Sequence, residues 1–338
     1  MAADTIQQYQ TILKALKDKK YAPIYFLYGE EAFFIDAISK YIENNVLGEA
    51  ERGFNQTILY GKDIEVNDIV NAARRFPMMA EHQVIIVKEA QNIKKIAELE
   101  KYAEAPLPST ILVICYKAKT VDKRTRFAKM LDKHVLFESK PLYDNKVLLW
   151  VEAYVAGKGY KINPKACLLL VESLGSDLAK IANELDKVFI NIETGKVIDV
   201  DIIEENVGIS KNFNSFELTK ALAAGDKEKA YRIISYFASD PVKNPLVVQV
   251  GNLYRFFSNI YLIHYSKDKS KMGIAKTLSI NPFFADEYIA AARRYSPPKT
   301  EKALGLLKEI DLKSKGIGSN MAQPDLMKEM IVKLMQLN

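Results

Sequence analysis

The group of residues best placed to do chemistry in this 338-residue chain lies in "IYFLYGEEAFFIDAIS", residues 24–39. It reads as an apolar strand, a turn at Gly29 and a helix. Nucleotide-binding α/β domains hold a phosphate at such a junction. They use backbone N–H groups, a lysine on the outer oxygens and a hydroxyl on Mg²⁺. Here Gly29 is followed by Glu30, Glu31, Ala32, Phe33 and Phe34, and the pattern G-x-x-x-x-G-K-[ST] occurs nowhere in the chain. Carboxylates at a helix start complement its dipole, so they fill the place of a phosphate and repel one. The plain reading is an ordinary helix start. On either reading, ATP binding at Gly29, Glu30 and Glu31 is not expected.

The other candidates are weaker. "VIIVKEAQ" ends a second apolar strand at Lys88 and Glu89, where an ATPase would carry a paired acid for its metal; one glutamate reads as a solvated loop residue. "NAARRFPMMAEHQ" places Phe76, Pro77, Met78 and Met79 after a helix expected to run from 66 to 76 and before a strand. Residue chemistry alone favours inward packing, since methionine fills irregular gaps in cores. The alternative is an exposed anchor inserted into a partner's pocket. "KAKTVDKRTRFAKMLDK" (117–133) reads as a solvated basic helix face. The aromatics of 254–265 alternate with Leu and Ile rather than with Lys and Arg, which favours core packing over base stacking. His82, His134 and His264 have no ligand partner at metal spacing, so no metal site is expected. Cys115 and Cys167 lack CxxC spacing and read as reduced thiols. No Ser/His/Asp or Cys/His set can be assembled.

These stretches are carried by an alternation of strands and helices. Apolar runs at 24–28, 54–60, 83–88, 110–116 and 135–139 are expected strands, with helical patterns between them at 33–46 and 66–76. Alternation of this kind predicts a parallel sheet covered on both faces. Pro141 closes this region, and from 142 to the end the pattern is helical. Helix stops at Gly157, Gly159 and Gly175 mark a small helical domain, and a longer helical region begins near 211. The apolar stretch 246–266 predicts a helix buried in a core or a subunit interface. Hydrophobic content of 49% and charged content of 27% are those of a soluble globular chain. No apolar run approaches the ~18 residues of a membrane span, and the N-terminus is not expected to be a signal peptide. Residues 211–338 carry 20 Lys+Arg against 12 Asp+Glu, a net +8, while the rest of the chain is at −2. A basic C-terminal third is compatible with work beside nucleic acid.

Taken together, the chain resembles the delta subunit of the bacterial DNA polymerase III clamp loader, of the AAA+ superfamily. The resemblance runs nearly end to end. It rests on "PIYFLYGEEAFFIDAISKYI", "RRFPMMAEHQVIIVKEA", "LGSDLAKIANELDKV" and "FELTKALAAGDKEKAYRII", and on their order. It implies an α/β AAA+ fold: a Rossmann-like, P-loop-NTPase-type parallel sheet with a degenerate nucleotide site, followed by two all-α domains. The domains would be residues 1–140 (AAA+), 141–210 (helical lid) and 211–338 (helical collar for oligomerisation). The implied activity is non-catalytic binding and opening of the beta sliding clamp, for loading on primed DNA. The chain would thus be part of a DNA-directed DNA polymerase (nucleotidyltransferase) holoenzyme. The family's clamp-binding element falls on Phe76, Pro77, Met78 and Met79. Many relatives carry Leu-Phe at the last two positions, so Met-Met is a departure that keeps the apolar volume. ATP-hydrolysing relatives place an arginine shortly after the glycine that opens a lid helix, but here Gly175-Ser176-Asp177 is followed by Leu178. The Ser-Arg-Cys finger motif of other loader subunits is absent too.

Implied partners are the beta clamp, the gamma/tau and delta-prime subunits through the collar, and primer-template DNA in the assembled complex, with no membrane. ATP would be bound by partner subunits and no cofactor by this chain. The implied location is the cytoplasmic replisome. Two competing readings remain at this level: a divergent AAA+ NTPase, and a DNA-binding replication protein acting through the basic C-terminal third.

Overall fold

A computed structural model describes residues 4–142, 145–210 and 212–337. Asp144 and Lys211, where the sequence opens helical segments, lie outside them. The chain divides into two compact units, Met1–Leu142 and Tyr143–Asn338. Among the described residues no helix is long and apolar enough to cross a membrane.

The first unit runs α1 (Thr5–Lys17), β1 (Ile24–Gly29), α2 (Ala32–Asn45), α3 (Glu49–Asn55), β2 (Gln56–Tyr60), α4 (Val66–Ala73) and β3 (Gln83–Lys88). It continues with α5 (Glu100–Glu104), β4 (Thr110–Lys117), α6 (Arg126–Leu131) and β5 (Val135–Ser139). The five strands form one parallel sheet in the order β2-β3-β4-β1-β5. The three runs that are buried almost throughout take the three inner positions, where both faces are covered. β2 and β5, with more polar residues, are the edges. Successive strand residues point to opposite faces. Phe26, Tyr28, Ile85, Val87, Leu112 and Ile114 share a core with Ile69 of α4, Tyr102 of α5 and Phe127 of α6. On the other face α2 lies against the sheet, and α1 packs on α2 through Tyr9 and Phe34, with ring centres 4.9 Å apart.

All five expected strands are present. Two expectations shift, however. Phe54 and Asn55 belong to α3 rather than to the second strand, and α4 stops at Ala73, three residues before Phe76.

The second unit contains α7 (Asn145–Gly157), β6 (Lys161–Ile162), α8 (Pro164–Leu174), α9 (Leu178–Asn191), β7 (Val197–Ile198) and α10 (Val200–Val207). Then come α11 (Ser215–Ala224), α12 (Lys227–Ser239), α13 (Leu246–Tyr265), α14 (Lys271–Leu278), α15 (Ala285–Arg294), α16 (Pro297–Ser314) and α17 (Gln323–Gln336). β6 and β7 form a two-residue parallel pair that periodicity did not predict. The main core comes from α11–α13 and α15–α17, with Phe237, Phe257, Leu307 and Met330 fully or almost fully buried. The expected boundary near residue 210 falls inside this unit, and Lys165 of α8 reaches Glu217 of α11 at 2.8 Å. α13 buries one face, with Leu253, Phe256, Phe257 and Ile260, and leaves Val247, Tyr254, Leu262 and Tyr265 exposed.

Candidate protein-docking site

The turn after β1 bonds two of its N–H groups, those of Glu31 and Phe33, to protein oxygens. Gly29 has φ +130°, and a Cβ there would lie 2.1 Å from the Ser139 carbonyl oxygen. Only glycine lets β5 come this close. The Glu31 N–H donates to that same Ser139 oxygen at 3.2 Å, and the Ser139 hydroxyl donates back to the Glu31 carbonyl. Glu31 is the N-cap of α2, its Oε1 accepting from the Phe33 N–H at 2.9 Å. One turn further on, Asp36 pairs with Lys117. Protein oxygens therefore occupy the Glu31 and Phe33 N–H groups, two of those that would face a phosphate. Glu89, the lone acid after β3, is ion-paired with Lys62 at 3.5 Å. Among the described residues no cluster of three His, Cys, Asp or Glu could hold a metal.

The segment between α4 and β3 has a different character. Helix α4 ends at Ala73, whose carbonyl has no i+4 donor because residue 77 is proline, and buried polar side chains from three other elements take it instead. The Ala73 oxygen accepts from Thr110 Oγ1 at 2.8 Å, Tyr102 OH at 3.2 Å and Gln83 Nε2 at 3.4 Å, and Gln83 also donates to the Arg75 carbonyl. Burial raises the Tyr102 phenol above its ordinary pKa, which keeps it a neutral donor. Past this point Phe76 is 76% exposed, Met78 63% and Met79 101%, with Pro77 half-buried between them. The inward packing favoured by residue chemistry is therefore not what the fold adopts. Met79 holds a left-handed φ of +54°. The Met78 backbone is gripped by Asn55, whose Oδ1 accepts its N–H at 2.6 Å while Nδ2 donates to its carbonyl at 2.9 Å. Next to Asn55, Phe54 is 75% exposed.

Sequence reading missed Phe54 and Asn55, having placed both in a strand. No local signal could have linked Asn55 to a residue 23 positions away.

The remaining candidates resolve blandly. In the basic run Lys123 pairs with Glu138, Arg124 with Asp122 and Arg126 with Glu100. His134 and His264 bond to the Ala103 and Tyr295 carbonyls, and His82 stands edge-on to Tyr21.

Two family models match the chain. One is described as DNA polymerase III, delta subunit, over residues 25–140; the other as DNA polymerase III delta subunit, C-terminal domain, over residues 212–334. The chain belongs to the DNA polymerase III delta subunit family. Among relatives of this delta family, DNA polymerase III subunit delta of Bacillus subtilis (strain 168) is 24% identical over 323 residues, covering 90% of this chain and 91% of that one. A probable DNA polymerase III subunit delta of Aquifex aeolicus (strain VF5) is 22% identical over 230 residues, 64% of each chain. The solved Bacillus subtilis DNA clamp loader delta protein matches over 97% of this chain and 99% of its own, at 21% identity and a TM-score of 0.53. The fold is thus shared with that protein over nearly the whole chain, a parallel α/β unit followed by helices. As a delta-family chain, this is a DNA replication protein of the DNA polymerase III delta kind.

Proposed function

We propose that this chain is a non-catalytic clamp-loader subunit that binds the beta sliding clamp and opens it for loading on primed DNA. The observation that carries the reading is the loop at Phe76–Met79. Three large apolar side chains project from a backbone tied down at Ala73 and Met78, as an anchor for a partner's apolar pocket requires. Phe76, Met78 and Met79 insert into the clamp, Pro77 stiffens the turn between them, and the docked loop strains one ring interface. No energy source is needed in this chain. Its Gly29-Glu30-Glu31 turn is filled by Ser139 and by the Glu31 carboxylate, and ATP is bound by partner subunits.

Those partners, gamma/tau and delta-prime, join through the helical region from about residue 211. Val247, Tyr254 and Leu262 there offer an apolar face on α13. Primer-template DNA enters the assembled complex, and the chain works in the cytoplasmic replisome as part of the polymerase holoenzyme.

Co-purification with the sliding clamp, for the wild-type chain and for Met78→Ala with Met79→Ala, tests the docking role. The wild type is expected to retain the clamp and the double variant to lose it; equal retention would remove the assigned anchor. ATP titration of the isolated chain separates this reading from a divergent NTPase, since micromolar binding would favour the enzyme.

A further inference from the structure

The docking loop has a backbone lock that belongs to another element. Asn55 closes α3, and its amide meets Met78 edge-on, accepting from the N–H at 2.6 Å and donating to the carbonyl at 2.9 Å. The other Nδ2 hydrogen is directed to the Glu51 carbonyl at 3.1 Å, so the amide orientation is fixed from within α3. Asn55 is buried although its neighbour Phe54 and its partner Met78 are exposed. The following residue, Met79, is held in a left-handed conformation that a non-glycine residue adopts only when its surroundings impose it.

We propose that Asn55 is a positioning residue of the docking site: its two bonds to Met78 hold the loop in the presenting conformation before any partner arrives. The proposal rests on the docking role given above. Its physical basis is pre-organisation, because a loop already ordered in the free chain loses less freedom on binding. An aspartate cannot replace it, since a carboxylate would accept from the Met78 N–H but face the Met78 carbonyl with a second acceptor.

The test titrates purified sliding clamp against the full chain carrying Asn55→Ala or Asn55→Asp, each with and without Met78→Ala/Met79→Ala. Thermal melting and hydrogen exchange at the residue-78 amide are read in parallel on the free chain. Both Asn55 variants are expected to weaken clamp binding by about tenfold and to speed exchange at amide 78. In the double-methionine background they should cause no further loss of affinity, although the shift in melting temperature should be the same there. Wild-type affinity in Asn55→Ala, unchanged exchange at amide 78, or an equal loss in both backgrounds would overturn the positioning role. Wild-type affinity in Asn55→Asp would overturn the two-bond lock. Failure of the docking role itself shows separately, as wild-type affinity in Met78→Ala/Met79→Ala with Asn55 intact.

Discussion

At Gly29 a hydrogen stands where any other residue would place a carbon 2.1 Å from the Ser139 oxygen. Gly29→Ala is therefore expected to destabilise the first unit by about 3 kcal/mol, read by urea unfolding; a loss under about 1 kcal/mol would show that β5 can withdraw from the turn. Glu30 and Glu31 were legible in the sequence because their meaning is local: negative charge at a helix start needs no distant partner. Ser139, which completes the filling of that turn, was not legible, being 108 residues from Glu31. The same limit hid Asn55. The types of Met78 and Met79 were also misleading by themselves, since methionine suits a core and an anchor equally well. Only the backbone grip on Met78 decides which way these side chains go.

Among the elements, α4 shows how a proline sets a helix end four residues upstream. Pro77 has no N–H to give the Ala73 carbonyl, so the helix stops at Ala73 and Thr110, Tyr102 and Gln83 take that oxygen instead. Thr110→Val removes a buried hydroxyl that bonds both Ala73 and Gln83. It should cost about 1–3 kcal/mol in chemical denaturation, and a neutral result would contradict the capping role. In the second unit, α8, α13 and α15 enclose a set of charges that periodicity could not reveal. Glu172 of α8 has a buried Oε2 with no hydrogen-bond partner, and it lies in the field of Arg255 on α13 and Glu287 on α15. Burial pushes the carboxyls of Glu172 and Glu287 up to about 7, with Arg255 opposing the shift at Glu172 and Thr219 and Lys220 opposing it at Glu287. An acid whose folded pKa lies above its unfolded one makes the folded state hold the extra proton. Its stabilisation is full below the unfolded value and is lost as pH rises through about 7. Melting temperatures should accordingly fall between about pH 4.5 and pH 7 and level off above that, and Glu172→Gln should flatten the fall. Parallel curves for the two proteins would contradict the assignment.

For the whole molecule, the sheet was legible because five apolar runs alternate with helical patterns, and an inner parallel strand must be apolar on both faces. The order of those strands and the two-residue pair β6–β7 depend on contacts between distant segments. The stretch 246–266 was readable as a helix, but its exposed apolar face came only with the fold, since the helix is apolar nearly all round. The net +8 of residues 211–338 is a property of the composition and assigns no contact. What the first unit offers a partner most clearly is Phe76, Met78 and Met79, exposed on a loop held at Ala73 and Met78, with the Gly29 turn at the opposite end of the parallel sheet. The most direct measurement is the affinity of the isolated chain for the sliding clamp in nucleotide-free buffer, compared with Met78→Ala/Met79→Ala. Tight binding is expected without ATP, with a loss of about 30-fold or more in the variant, as truncated interface anchors give. Binding that required ATP, or that was unchanged in the variant, would contradict the docking role.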